Sequence, residues 1–570
     1  MKRIIETMKL AKTKTISLVK AVANRILEEI NFVKTIDEHT EYSEEQCNLS
    51  PGQRAKALVL ATMTDIRVPL THLQDRTEDM DLEYLLGARY DKCGINAFNM
   101  GRALDDIGEK NVNRIYETMT LAALKKYEIP IASTHSDTTT ISFYGEYDID
   151  KMKLTEEEKE EILKIEKGYN KDGRQGDKQL IVGQIVTDTG IPIINRSLDG
   201  AASDVEWNKL AIEHYRELRT NGLDLCPYVA DCKLVTQELV ESMNDPNGRV
   251  PFVSRCPDNF NELQANRAKE RAYAADDWEE LGQVGTGKNA SAYRGISLTE
   301  TIFGTPMRLL VLESSSLCEA AKKAFSKTQN ALAPLLKTIE KKKFACYADA
   351  KAESDSFAKS NALRLFDYTS EIIEERIEKW PPGRRSAATK PIIAIIFSIK
   401  ATVEINQKAY KEFMQKKSSI VLISNIEEAS MNNMDLLKLY KGQHNVETSF
   451  RHLKNPQLAS VIYLKNPKRI EALLMLLSFS LLVRAIIQYR LRDGLKRHLE
   501  ENPDDIIYAG WNGKKLISPT FQLFYSHTIN CRFEREGNSG YSFNWPNVET
   551  KAIVVPLLML LGFTISTILQ

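Results

Sequence analysis

The sequence predicts a mixed α/β protein in which a central sheet, split by a large β/α insertion, is flanked by helical N- and C-terminal regions. Three observations predict it. Strand-like alternation is absent before Ile129 and then dense up to Ser254. A Lys-rich stretch from 256 to 418 breaks that pattern, and SIVLISNI (Ser419 to Ile426) resumes it once before the chain turns helical. With 570 residues, the chain exceeds what one core comfortably organises, so two to four domains are expected.

Residues 1–125 read as helical. Leu58, Leu60, Ala61 and Met63 begin one apolar face, and NAFNMGRALDDIGE begins a helix capped near Asn96 or Asn99. Such a region suits DNA-end binding or dimerisation. The pattern changes at IPIASTHSDTTTISFYGEY, where β-branched and Ser/Thr residues alternate and favour a long strand. After the charged insert LTEEEKEEILKIEKG comes QLIVGQIVTDTGIPIINRSLDG, two strands joined by the turn Thr187-Asp188-Thr189-Gly190. Ser203 to Glu206 form a capping box ahead of the amphipathic helix WNKLAIEHYRELR. A short strand Pro227 to Ala230 then ends at Asp231, followed by a helix from about Thr236 to Met243 and a strand Arg249 to Ser254.

The order strand, strand, strand, helix, strand, helix, strand is that of an RNase H-like mixed sheet. In that fold the first and fourth strands are neighbours, which would place Asp137 near Asp231. The expected division is 1–125 helical, 126–255 first part of the sheet domain, 256–418 insertion, 419–460 its remainder, and 461–570 helical.

Composition bounds the function. Lys+Arg and Asp+Glu both number 77, which argues mildly against a nucleic-acid protein, yet residues 1–25 carry seven Lys/Arg against one Glu. The eight cysteines are scattered without a C-x-x-C pair, so reduced thiols and a cytoplasmic location are expected rather than a zinc site. The basic N-terminus lacks an apolar core and a small-residue cleavage site, so no secretory signal is expected. Two apolar runs, Ile470 to Ile487 and Ala552 to Leu569, are read as packed helices and no membrane partner is expected. The first is interrupted by Glu471 and Arg484, and the second by Pro556, Gly562 and three Ser/Thr residues.

The chemistry concentrates in LKLYKGQHNVETSFRHLKN. On a continuous helix Tyr440, Gln443, Glu447, Arg451 and Lys454 share one face, with Val446, Phe450 and Leu453 forming the adjoining apolar stripe. Taken alone, this reads first as a solvated face with an ordinary Glu447–Arg451 pair. The segment resembles the signature Y-x2-R-x3-E-x6-K of insertion-sequence transposases of the DDE class, read as Tyr440, Gln443, Glu447 and Lys454. STHSDTTTISFYG, YNKDGRQGDKQLIVGQIVTDTGIPI, NRSLDGAASD, PYVADCKLVT and PFVSRCP look like further blocks of that family, in order, between about 55 and 495.

The resemblance implies a metal-dependent DNA transposase with Asp137, Asp231 and Glu447 as catalytic and metal-holding carboxylates. Asp137 would bridge two Mg2+ (or Mn2+) ions, with Asp231 and Glu447 each completing one side. Hard divalent cations suit carboxylates, and two of them can activate a nucleophile and stabilise a departing oxygen. Tyr440, Gln443 and Lys454 would lie against DNA, and Arg451 is added from the helix face. The partners implied are double-stranded DNA, as the element's terminal inverted repeats and its target, and a second copy in a homodimer. The family's Arg is Gln443 here, which removes a phosphate-binding charge and implies a weakened copy as one alternative. A nuclease that cuts without joining is another.

Other residues carry blander readings. His135 is expected to be a hydrogen-bonded structural histidine, and Thr138, Thr139 and Thr140 to be strand formers, with a place near the metal as the alternative for Thr139. Asp199 is read as a turn residue, Asp204 as helix N-terminal, and Tyr42, Trp207 and Trp278 as packing residues. GRRSAATK (Gly383 to Lys390) is a phosphate contact or a solvated loop. GQVGTGKN (Gly282 to Asn289) approaches a phosphate-binding loop, but position 289 is Asn, and DDWEELG before it reads as helix where a strand is required.

Overall fold

The computed structural model describes residues 14–569 apart from 44, 46, 64–69, 78–79, 88–94, 148–154, 221–225, 258–264, 286, 288–289, 381, 383–389, 455–463 and 537–539. The basic residues before 14, most of GRRSAATK, and Lys288 with Asn289 therefore lie outside the described residues. The chain divides into two compact units, Met1–Phe252 with Leu439–Gln570, and Val253–Lys438.

In the first unit the leading helices gather around one long helix, Pro467–Glu501. Helix Pro51–Ala61 opens with a reciprocal Ser50/Gln53 capping box, and Asn96 and Asn111 cap Ala97–Gly108 and Val112–Lys126. Phe479 of the long helix is fully buried and meets the rings of Phe32 and Tyr116 at 5.1 and 4.9 Å. Pro467–Glu501 is the one described helix long and apolar enough to cross a membrane, and 83% of its apolar window is buried. Its residues thus serve as core. The last apolar run forms the shorter helix Val548–Leu560, which stops before Gly562 at φ 73°.

The expectation of a strandless N-terminal region is corrected. Strand β1 (Thr15–Ser17) pairs antiparallel with β15 (Arg532–Glu536), which in turn pairs with β16 (Gly540–Asn544). A three-residue strand is too short to display alternation, and its partner is over 500 residues away in sequence.

The central sheet of this unit contains β2 (Thr134–Phe143), β3 (Glu166–Lys167), β4 (Lys178–Thr187), β5 (Pro192–Leu198) and β6 (Tyr228–Ala230). β2 and β4 pair antiparallel along their whole length, Thr134 with Thr187 through Phe143 with Lys178. β4 returns into β5 through the expected turn, where Gly190 N donates to Thr187 O at 2.9 Å with φ 87°. β2 also pairs parallel with β6. β2 is covered on both faces, with only Asp137 and Ser142 partly open.

In the second unit, β7 (Phe252–Arg255), β14 (Ser419–Ser424), β10 (Thr305–Ser314), β9 (Ser291–Ile302) and β8 (Glu279–Val284) are successive antiparallel neighbours. A second sheet joins β11 (Lys343–Phe344), β13 (Ile392–Ile405) and β12 (Phe366–Lys379), accompanied by the 27-residue helix Ser315–Lys341. DDWEELG, expected as helix, leads into strand β8, so the glycine-rich segment connects two strands of a hairpin. Gly282 and Gly285 there have φ 90° and 96°, and β9 follows where a phosphate-binding loop needs a helix.

Candidate functional site

The pairing Thr134 with Tyr228 and His135 with Val229 fixes the register of β2 against β6. Two residues further along each chain, Asp137 comes level with Asp231, the first residue after β6. Asp231 caps the short helix Cys232–Leu234, its carboxylate accepting from Lys233 N at 3.0 Å. Asp137 Oδ1 accepts from Thr138 N at 2.7 Å. Burial pushes the Asp137 carboxyl up to about 6. Lys171 and the Thr138 N–H oppose the rise, while the charges of Asp231 and Asp204 add to it. Burial raises Asp231 as well, and Asp204 again adds to the rise.

Two residues of this cluster were missing from the expected site. Asp204 is the first residue of helix Asp204–Thr220, after Ser203, whose Oγ accepts from Glu206 N at 3.2 Å. The helix is seated by Trp207, whose indole lies where a Cβ on Gly183 of β4 would stand, 2.4 Å from the ring. Trp207 Nε1 donates to Ser136 Oγ at 2.9 Å, so the ring is held against β2 and β4 by both size and hydrogen bonding. Thr138 Oγ1 donates to Asp204 Oδ1. Lys171, from the loop between β3 and β4, places Nζ 3.5 Å from Asp137 Oδ1 and 2.9 Å from Asp204 Oδ1. Lys171 stands inside YNKDGRQGD, but spacing in a loop carries no periodicity that would have singled it out. Thr138, read from the sequence as a strand former, thus joins the cluster through its hydroxyl.

The glutamate segment is not one helix. It forms Asn433–Lys441 and His444–Leu453, broken at Gly442 and Gln443, so the shared face argued for a continuous helix does not extend back to Tyr440. The break lies against His135. A Cβ at Gly442 would lie 2.6 Å from the buried His135 Cε1. His135 is a structural histidine, with Nε2 2.9 Å from Ser133 Oγ and burial lowering its pKa to about 4. Gly442→Ala is therefore expected to destabilise the protein by about 1–3 kcal/mol, and thermal unfolding checks it.

Helix His444–Leu453 is fastened by three side chains. Gln443 Nε2 donates to Ser136 O at 2.9 Å, Asn445 Nδ2 to Asp188 O at 2.7 Å, and Ser449 Oγ to Gln184 Oε1 at 2.8 Å. Val446, Phe450 and Leu453 are buried as the stripe predicted, whereas Glu447 and Arg451 are exposed. Gln443, expected at DNA, spends its amide on the backbone beside Asp137. Lys454 is held by both Asp172 carboxylate oxygens at 2.7 and 2.8 Å, and Tyr440 is half-buried.

The structure thus places Asp137, Asp231, Asp204 and Lys171 within electrostatic reach of one another. Among the described residues no three His, Cys, Asp or Glu side chains stand close enough to hold a metal ion, so neither Glu447 nor Asp204 completes a ready-made triad with Asp137 and Asp231. The donor chemistry at Asp137 and Asp231 still fits a hard divalent cation. Both offer only oxygen, both are raised by burial and by the charge of Asp204, and an ammonium group already lies beside Asp137.

A sequence-family model described as a domain of unknown function (DUF4277) matches residues 11–121. No curated protein matches the chain. Among solved structures, one that resembles it is the cryo-EM structure of the piggyBac transposase synaptic complex with hairpin DNA. That likeness has a TM-score of 0.37 and 9% identity, covering 85% of this chain and 76% of the other. At that TM-score the likeness carries no weight for function, which rests on the residues themselves.

Proposed function

We propose that the protein is a DDE-class DNA transposase that binds the terminal inverted repeats of its own element, as a homodimer, and catalyses cleavage and strand transfer. The observation that carries this reading is the parallel pairing of β2 with β6, which sets Asp137 level with Asp231. The strand order β5, β4, β2, β6, antiparallel but for the last pair, agrees with an RNase H-like sheet.

Asp137 and Asp231 would hold the divalent ions, Mg2+ or Mn2+, and Glu447 would join them once DNA is bound. Bound there, the ions supply nucleophile activation and stabilisation of the departing 3′-oxygen. The chain's own part is positional. Thr138 N–H orients one Asp137 oxygen, Lys233 N–H orients Asp231, and the Gln443 bond to Ser136 O sets the helix that carries Glu447 against β2. Exposed Arg451, with Lys454 and Tyr440, would meet the DNA backbone.

The test is cleavage and joining of labelled element ends in Mg2+ by the native chain and by Glu447→Gln. Joining that disappears in the variant is the expected result. Cleavage without joining would leave a nuclease, and identical activity in both proteins would remove Glu447 from the site.

A further inference from the structure

The loop 168–177 between β3 and β4 makes two contacts that share one logic. Lys171 Nζ lies among the site oxygens, 3.5 Å from Asp137 Oδ1, 2.9 Å from Asp204 Oδ1, 2.7 Å from Thr138 Oγ1 and 3.1 Å from Thr138 O. The adjacent Asp172 chelates the ammonium of Lys454 with both carboxylate oxygens. A cation thus sits against a proposed metal ligand, and an anion sits on a proposed phosphate-binding lysine. The loop is not loosely draped. Asn170 is buried, its Nδ2 donates to Ser142 Oγ at 3.0 Å, and its Oδ1 accepts from Asp172 N at 2.9 Å. Lys171 N donates to Thr140 Oγ1 at 3.2 Å, which lays the backbone of the loop along β2.

We propose that this loop is an internal latch in which Lys171 stands in for the divalent cation and Asp172 for a DNA phosphate. The inference rests on reading Asp137 as a metal ligand and Lys454 as a DNA contact. Carboxylates brought together without a cation repel one another, and an ammonium is the cation the chain itself can supply. The metal therefore has to displace Lys171, and a phosphate has to displace Asp172. Because the two residues are consecutive on one anchored loop, displacing either loosens the hold of the other. Metal and DNA thereby favour each other's binding, and by linkage that favour is reciprocal. Lys171 and Asp172 are positioning residues in this scheme.

Mn2+ binding to the full chain, followed by the electron paramagnetic resonance of free Mn2+ without DNA, tests it. Native protein, Lys171→Met, Lys171→Arg and Lys171→Met with Asp137→Asn are compared. Lys171→Met is expected to bind Mn2+ about tenfold or more tighter than native, Lys171→Arg to stay near native, and the double variant to lose the gain. In EDTA Lys171→Met melts lower than native, and Mn2+ raises its Tm by more than it raises the native Tm, which separates a freed site from a misfolded one. Asp172→Asn should tighten binding of a 30-base-pair duplex (a length of about 30, chosen to span several phosphates) and also of Mn2+. Native-like Mn2+ affinity in a folded Lys171→Met, with binding still abolished by Asp137→Asn, overturns the latch and leaves the metal site standing. Mn2+ binding that is indifferent to Asp137→Asn in every background overturns the metal-site reading, and the latch with it.

Discussion

Exchanging Asp137 for asparagine is expected to lower metal-dependent DNA cleavage by about 10^3-fold or more, while leaving the metal-free protein at least as heat-stable as the native chain. Asparagine keeps an oxygen to accept from Thr138 N–H, now 2.7 Å from Asp137 Oδ1, but offers no charge to a divalent cation. Stability moves the other way because burial has already pushed this carboxyl up to about 6. A group that binds its proton more tightly in the folded state makes folding less favourable as pH rises from the unfolded value near 4 through that raised value, and the loss is complete above it. The penalty is on the order of 2 kcal/mol at neutral pH. Lys171 keeps its contacts with Asp204 at 2.9 Å and Thr138 Oγ1 at 2.7 Å, so the substitution leaves no isolated ammonium. Single-turnover cleavage and thermal unfolding in EDTA read the two effects separately. A protein that lost activity and melted well below native would show that Asp137 is chiefly a structural group.

The second large effect is expected on the long helix. Glu471 lies on the long helix Pro467–Glu501, and burial pushes its carboxyl up to about 7, against the opposing charges of Arg196 and Lys468. The same sign applies. Glu471 favours the folded state when protonated, and that contribution is lost as pH rises from about 4 through about 7. Glu471→Gln should stabilise the protein at pH 8 by about 2–3 kcal/mol and be nearly neutral at pH 4.5. The variant would then show a flatter decline of Tm between pH 5 and 7. Melting curves across that range decide the matter, and a variant less stable than native at pH 8 would mean that the attraction to Arg196 outweighs burial.

Much of the architecture is legible in the order of residues alone. Ser/Thr and β-branched alternation marks β2, the Asp188-Thr189-Gly190 turn marks the β4–β5 return, and Ser203 marks the start of the helix behind them. These are local signals, written within a few residues by side-chain periodicity and turn chemistry. The apolar stripe Val446, Phe450 and Leu453 is legible for the same reason. Strand β8 reads wrongly as helix because EELG combines helix-forming glutamates with a strand whose pattern is mostly exposed. The partners of β1 are out of reach because a three-residue strand carries no period.

The sequence by itself determined where the candidate carboxylates stand along the chain, Asp137 and Asp231 each at a strand and Glu447 on a helix with its buried stripe. Tertiary structure alone decided which of them meet. The β2–β6 register brought Asp137 level with Asp231, and Trp207 resting over Gly183 brought in Asp204. The loop after β3 delivered Lys171, and the expected helix breaks at Gly442, where His135 leaves room only for glycine. The physical reason is range. Periodicity and capping act over a few residues, whereas the gathering of charges depends on strand pairing and close packing between segments tens to hundreds of residues apart.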